Sequence, residues 1–342
     1  MAMLHRRDVL RAAGLMGALA ATGSAHPARA ADLKPATLRL KWLPQAQFTG
    51  YFVAKAKGYY ADEGIALTIN PGGPNIIAEN MVGSGVDTFG HGGGMASLLQ
   101  AREKGLPIVG IGMLFQETPY RLVALESSGV KTMKDLKGKT VSTWFTGPQF
   151  LVQAMIRNAG LDPKDVRIEA QANSMVPFIE GKVDVATVTV YNELLILRRR
   201  NVTPGAMFNP AELGVNLANE AILVNEATIA KDPALVRGFL RASLRGWVDA
   251  LRKPDEAVAL LLKELPSLHE NEQKESLAAL KPLILYKDAA TKGIGRLDPE
   301  NLAFAQKFLL ENGAQQKAVD LAKAVDLSFW DAVPAADKIV GS

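Results

Sequence analysis

Few side chains in this sequence could break a covalent bond, and that scarcity narrows its chemistry. The 342 residues contain no cysteine and four histidines. Two of the histidines, His5 and His26, fall within the first thirty residues, leaving His91 and His269 for the rest. No thiolate nucleophile, disulfide framework or sulfur-ligated metal can be built from such a set. Two isolated histidines also rule out a His-rich metal cluster and give a Ser-His-Asp arrangement little to draw on. Lys137-Gly138-Lys139-Thr140 ends like a phosphate-binding P-loop, but Met133 stands where the upstream glycine is required. Gly90-His91-Gly92-Gly93-Gly94 misses the dinucleotide fingerprint because Met95 replaces its last glycine. A Gly-x-Ser-x-Gly elbow is absent. The sequence therefore points to no catalytic residue, no cofactor and no metal.

Its chemistry is that of recognition. In Leu40–Phe52, a short apolar run meets Pro44, which fixes its own φ and forces Leu43 out of helical geometry. Trp42, Gln45, Gln47 and Phe48 thus fall on a bent loop between a strand and a helix, where open α/β sheets bind ligands. Val141-Ser142-Thr143-Trp144 repeats the pattern 102 residues later, again running through a loop with Pro148 and Gln149. Two such rings suit a flat heteroaromatic molecule, since an aromatic pair adds roughly 0.5–1.5 kcal/mol beyond burial. Gly72, Gly73 and the turn holding His91 would let backbone N–H groups approach a ligand; tight turns without a ligand role are the alternative. Tyr191-Asn192-Glu193 offers a ring, an amide and a carboxylate together, although Glu193 could equally complement a helix dipole. Gln116, Arg121 and Asn173 are further polar candidates on strand-end loops.

The elements that must hold these groups alternate strand and helix, which predicts an α/β protein with mostly parallel sheets. Strands are expected at Thr37–Lys41, Ala66–Asn70, Thr88–Gly90, Ile108–Met113, Arg121–Leu125, Thr140–Ser142, Arg167–Ala170, Val183–Val190 and Ala221–Val224. Helices are expected at Thr49–Lys57, Ile76–Val82, Met95–Lys104, Pro148–Ala159, Val176–Glu180 and Glu193–Arg199. A second echo reinforces the tryptophans: Gly85-Val86-Asp87-Thr88 is answered by Gly181-Lys182-Val183-Asp184, with Asp87 and Asp184 97 residues apart. Two comparable α/β units facing one cleft are implied. Beyond Glu226 the pattern turns helical, with Leu235, Phe239, Leu240, Leu244, Trp247 and Leu251 on one face. Trp247 and Trp330 read as core, and such helices would buttress the first unit.

The first thirty residues read as a targeting segment. Arg6-Arg7 precedes a mildly apolar run from Ala12 to Ala25, and Ala28-Arg29-Ala30 fits a cleavage site. Paired arginines before a weak apolar core predict export through the twin-arginine route to a bacterial periplasm. The run falls short of the ~20 apolar residues of a membrane span, so no membrane insertion is expected. Four of the 39 basic residues and one of the 35 acidic ones lie in this segment, so the net charge of +4 falls to +1 without it. A surface so balanced makes no electrostatic case for nucleic acid. Arg198-Arg199-Arg200 reads as a solvated helix end.

Taken in order, Trp42-Leu-Pro-Gln-Ala-Gln-Phe-Thr-Gly-Tyr51, Lys57-Gly58-Tyr59-Tyr60, Gly72-Gly73-Pro74, Ser84–Gly90 and Val190-Tyr191-Asn192-Glu193 carry a resemblance. The chain resembles solute-binding proteins of ABC importers related to thiamine-pyrimidine-precursor and riboflavin receptors, loosely grouped with sulfonate and nitrate binders. The resemblance implies a two-lobed periplasmic-binding fold of the type II cluster, with hinge crossings at Arg121–Ser127 and Asn219–Glu226. Lobe one would be 33–120 plus 226–342 and lobe two 121–219. It implies a monomer that closes over an aromatic nitrogen heterocycle, between Trp42/His91 and Trp144/Tyr191, and hands it to an ABC permease and its ATPase. A sulfonate or other small organic anion is the alternative ligand. The resemblance also reaches enzymes that build the thiamine pyrimidine from pyridoxal phosphate and their own histidine, but these carry a cysteine-rich motif that this chain lacks.

Overall fold

The computed structural model describes residues 33–145, 147–172 and 174–341; the expected leader and Asn173 lie outside them. The α/β alternation resolves, among the described residues, into two five-stranded sheets. The first orders its strands β2-β1-β3-β10-β4. They are β1 (Lys34–Leu40), β2 (Ile65–Asn70), β3 (Phe89–His91), β4 (Ile108–Phe115) and β10 (Asn219–Asn225). The second runs β7-β6-β8-β5-β9, from β5 (Tyr120–Ala124), β6 (Thr140–Thr143), β7 (Arg167–Ala170), β8 (Val185–Thr189) and β9 (Ala206–Phe208). All nine expected strands form within a few residues of their predicted limits. Strand β9 is an addition: Ala206-Met207-Phe208 is too short to show a period and is fixed by pairing with β5.

The internal echo is a topological repeat. In each sheet a central parallel strand, β1 or β6, lies between the two that follow it in the chain, and Trp42 or Trp144 comes after that centre. The two echoed aspartates do equivalent work. Asp87, before β3, accepts from Arg39 Nε at 2.7 Å and Asn70 Nδ2 at 2.6 Å. Asp184, before β8, accepts from the Thr140 N–H at 2.8 Å. Each sheet then takes an antiparallel fourth strand where the chain arrives from the other sheet: β5 in the second, β10 in the first. The strands expected as crossings therefore each belong to one sheet. The passages between sheets are residues 116–119 and 209–218.

Helices cover the sheets: α1 (Thr49–Ala56), α2 (Met95–Glu103), α3 (Pro148–Asn158) and α4 (Glu193–Arg199), followed by the C-terminal set. Of these, α5 (Pro233–Arg252) starts at Asp232, whose side chain accepts from the Leu235 N–H at 3.0 Å. Its Phe239, Leu240, Leu244, Trp247 and Leu251 join Leu38, Leu40 and Phe89 in one core, with Phe89 and Phe239 stacked at 3.7 Å. Trp247 and Trp330 are both buried in that core. No described helix is long and apolar enough to cross a membrane.

The α1–α5 contact is close enough to require glycine. A Cβ on Gly246 would sit 2.2 Å from the Gly50 carbonyl oxygen, and one on Gly50 would sit 2.3 Å from the Trp247 ring. Backbone cannot yield as a flexible side chain can, so an added methyl must separate the helices. Gly246→Ala is expected to lower stability by about 2 kcal/mol, read as a reduced denaturation midpoint at unchanged slope.

Candidate functional site

The carboxyl ends of β1 and β3 meet the start of β10 in a buried polar network. Its centre is Glu220, fully enclosed and held at φ 65°, a left-handed conformation that a residue with a Cβ adopts at a cost of roughly 1–2 kcal/mol. One carboxylate oxygen accepts from the Lys41 ammonium. The other accepts from Gln47 Nε2 at 2.9 Å and pairs closely with His91 Nε2. An ionised carboxylate only accepts, so His91 Nε2 carries a proton, while Nδ1 pairs with the Tyr51 hydroxyl at 2.8 Å. Burial raises the Tyr51 phenol well above its usual range, which keeps it a donor. Phe48 packs edge-on against His91 at 5.0 Å.

The charges in this network support one another. Burial works against the Glu220 carboxylate, but Lys41 and His91 outweigh it and hold the group below the ordinary carboxylate range. Burial likewise opposes the Lys41 ammonium, and Glu220 outweighs that penalty, so its affinity for the proton rises. Isolated buried charges would be too costly to persist; these are paired and hydrogen-bonded.

Near this network lie aromatic rings from both sheets. Trp42 is half-buried against the first core. Its loop is locked because its carbonyl accepts from the Gly72 N–H at 3.0 Å, and a Cβ on Gly72 would fall 2.1 Å from the Leu40 carbonyl oxygen. From the second sheet, Trp144 is half-buried with its ring 6.2 Å from that of Tyr120. Tyr191 packs edge-on against Phe115 at 5.9 Å, and its carbonyl accepts from Ser276 Oγ at 2.8 Å.

Several expected ligand groups have structural partners instead. His91 is wholly enclosed, with both ring nitrogens engaged by Tyr51 and Glu220. Gln47 and Phe48 are enclosed beside it, while Gln45 Nε2 donates to Gln47 Oε1 at 3.0 Å. Gln116 Nε2 donates to the Met113 and Arg296 carbonyls at 2.6 and 2.9 Å. The Arg121 guanidinium is taken by Glu117 and by the Thr118 and Tyr120 carbonyls. Glu193 accepts from the Thr189 N–H and hydroxyl and from Asn192 Nδ2, closing the start of α4. Gly73 is buried beside the loop, and its carbonyl accepts from the Ile76 N–H at 3.1 Å.

Sequence reasoning passed over Lys41, Tyr51, Tyr120 and Glu220. Lys41 and Tyr51 belong to the Leu40–Phe52 stretch, whose other members drew attention. Glu220 gave no local signal, because its partners lie 129 and 179 residues away. No group of three or more metal-ligating side chains occurs among the described residues. Two shallow surface hollows border α4, one lined by Leu195, Arg199 and Glu275, the other by Leu194, Val202 and Met207. Neither adjoins the rings.

The Glu220 pairing makes stability depend on pH with a definite sign. A carboxyl depressed in the folded state contributes stability above its unfolded value, near 4.5, and loses it as pH falls through the folded value. Lys41 contributes below its unfolded value of 10.5 and loses that contribution only as pH rises further. Glu220→Gln is expected to cost about 3 kcal/mol at pH 7. The gap to wild type should narrow steadily below pH 4.5 in denaturant titrations at successive pH values.

Comparison with known proteins places this arrangement in a family. Residues 45–257 match the sequence profile of the NMT1/THI5-like proteins. The riboflavin-binding protein RibY of Chloroflexus aurantiacus is 32% identical over 321 residues, 91% of this chain and 90% of that protein. A 4-amino-5-hydroxymethyl-2-methylpyrimidine phosphate synthase of Legionella pneumophila is 32% identical over 245 residues, 68% of this chain and 74% of the enzyme. Among solved structures, the periplasmic aliphatic sulphonate binding protein SsuA from Escherichia coli superposes with a TM-score of 0.67 at 20% identity, covering 86% of this chain and 92% of that one. The chain belongs to the NMT1/THI5-like family and has the two-lobed α/β fold of the type II periplasmic binding proteins.

Proposed function

We propose that this protein is the exported solute-binding component of an ABC importer, and that its ligand is a small aromatic nitrogen heterocycle of the pyrimidine or flavin type. One observation carries the reading: half-buried rings stand at the ends of both central strands, Trp42 on one sheet and Trp144 with Tyr120 on the other. Rings at paired strand ends offer flat faces to a flat ligand at the place where α/β sheets bind small molecules. The name of the RibY relative supports a flavin, and that of the synthase supports a pyrimidine.

In this reading the lobes follow the two sheets, 33–115 plus 219–342 and 120–208, and they close over the ligand by bending at 116–119 and 209–218. The first thirty residues direct export, by the twin-arginine route, to the periplasm. A permease and its ATPase receive the ligand there.

Two other readings have less behind them. A small organic anion would need a cation at the rings whose charge is not already neutralised; Lys41 is paired with Glu220, and Arg121 with Glu117 and two carbonyls. A synthase that consumes its own histidine would need one presented to substrate; His91 is sealed between Tyr51 and Glu220, and His269 is exposed at a helix start.

A thermal-shift screen over flavins, pyrimidines, aromatic acids and sulfonates tests the proposal, because a ligand at 100 times its Kd adds about 2.7 kcal/mol of stability. Heterocycles should raise the melting temperature and shift tryptophan fluorescence. Trp144→Ala should weaken binding at least tenfold, about 1.4 kcal/mol. Unchanged affinity in both Trp42→Ala and Trp144→Ala would sink the stacked-ring site.

A further inference from the structure

The buried network leaves one of its charges partly open to solvent. Glu220 is sealed and its side chain wholly buried, whereas the Lys41 side chain keeps 19% of its surface exposed. Lys41 directly follows β1 and precedes Trp42, at the strand end where a ligand would lie. Its ammonium has three N–H donors. One goes to Glu220, and a second reaches Asn219 Oδ1 at a long 3.4 Å. The third has no partner among the described residues. Tyr120, Glu220 and the buried Glu79 are its charged or titratable surroundings.

The cost of this arrangement is unusual for a structural ion pair. Glu220 is fully desolvated and its backbone is left-handed, and His91, Gln47 and Tyr51 are all spent on fixing its carboxylate. Apolar residues would fill that volume at less cost, so a strained, fully connected buried charge points to a positional role. What it positions is the Lys41 ammonium, which it holds charged and short of conformational freedom beside Trp42.

We infer that Lys41 sets the ligand specificity of the site by donating to an acceptor oxygen on the heterocycle, and that the preferred ligand carries a ring imide, as a flavin does, and not the donor edge of an aminopyrimidine. Glu220 and His91 act through Lys41 as positioning residues. The inference rests on the heterocycle-receptor reading and chooses between the ligand classes that reading leaves open. The chemistry follows from the donor inventory. An imide presents two carbonyl oxygens flanking its N–H, so an ammonium meets an acceptor. A 4-aminopyrimidine offers a ring-nitrogen acceptor flanked by its exocyclic amino donor, so an ammonium that reaches the nitrogen also meets amino hydrogens of like partial charge and is answered less well. A site built around a buried hydrogen-bonding group discriminates strongly against an analogue that cannot answer it.

Calorimetric titration of the purified protein with riboflavin and with 4-amino-5-hydroxymethyl-2-methylpyrimidine tests this, using wild type, Lys41→Met, Lys41→Met/Glu220→Gln and Trp144→Ala. The double variant removes both charges, so it remains informative if the single one fails to fold. Riboflavin should bind wild type at least tenfold more tightly than the pyrimidine. The Lys41 variants should lose at least tenfold for riboflavin and little for the pyrimidine, whereas Trp144→Ala should weaken both. Equal riboflavin affinity in wild type and a folded Lys41 variant overturns the inference and leaves the receptor reading standing. Tighter binding of the pyrimidine by wild type overturns it too. Binding of neither compound, with no heterocycle active in the thermal screen, removes the receptor reading and this inference together.

Discussion

The carboxylate of Glu220 has no access to water, and much of the architecture around it answers that one constraint. An unpaired carboxylate buried at this depth would take up a proton or unfold its surroundings. It is instead met by a cation from the end of β1, an amide from the following loop and an imidazole from the end of β3. The residue itself sits at the start of β10, where the chain arrives from the second sheet. Two segments distant in sequence, the end of β1 with its loop and the end of β3, are therefore fixed to one side chain at the start of β10. A network with every member satisfied rigidifies its site, whereas a half-satisfied one would be worse than an apolar filling.

That rigidity explains why the aromatic groups can stay partly open. Trp42 rides on a loop whose backbone is clamped by Gly72 on one side and whose neighbour Lys41 is clamped by Glu220 on the other. Neither contact uses the indole, so its face is available without the loop being loose. On the second sheet the equivalent position, Trp144, leans against Tyr120. The two halves repeat in strand order and differ in chemistry: the first has a charged pair beside its tryptophan, whereas the tryptophan of the second lies against a tyrosine. In the receptor proposed above, such a division would let the first half orient the ligand and the second cover it.

The fold was largely readable because its signals are local. Apolar periodicity placed the strands, glycines marked helix ends, and the echo of Trp42 by Trp144 and of Asp87 by Asp184 anticipated a repeat that the sheet orders carry out. What escaped was non-local. Strand β9 exists through its pairing with β5, and the exchange of antiparallel strands between sheets has no signature within any one segment. The site divides in the same way. Aromatic residues were visible as types on strand-end loops, but the polar candidates Gln116, Arg121 and Glu193 proved to be occupied by carbonyls, a carboxylate and a helix start. Lys41 went unremarked for the converse reason: beside Trp42 it looks like a strand-end surface charge, and only the distant Glu220 makes it a fixed one.

Binding proteins and synthases share this family, so the fold leaves the activity open and the site must decide it. The decisive difference is where reactive groups point. Chemistry on a ligand requires a nucleophile, base or sacrificial side chain within reach of it. In this chain the histidine nearest the strand ends is walled in by Tyr51, Phe48 and Glu220, and each of its nitrogens is already engaged. Lys41 is the charged member of the network that keeps some exposure, and its proton is held more firmly than in free lysine because it is paired with Glu220. A lysine that keeps its proton is a poor nucleophile and a good hydrogen-bond donor. The same buried carboxylate that stiffens the network therefore turns the adjacent amine away from covalent chemistry and toward recognition.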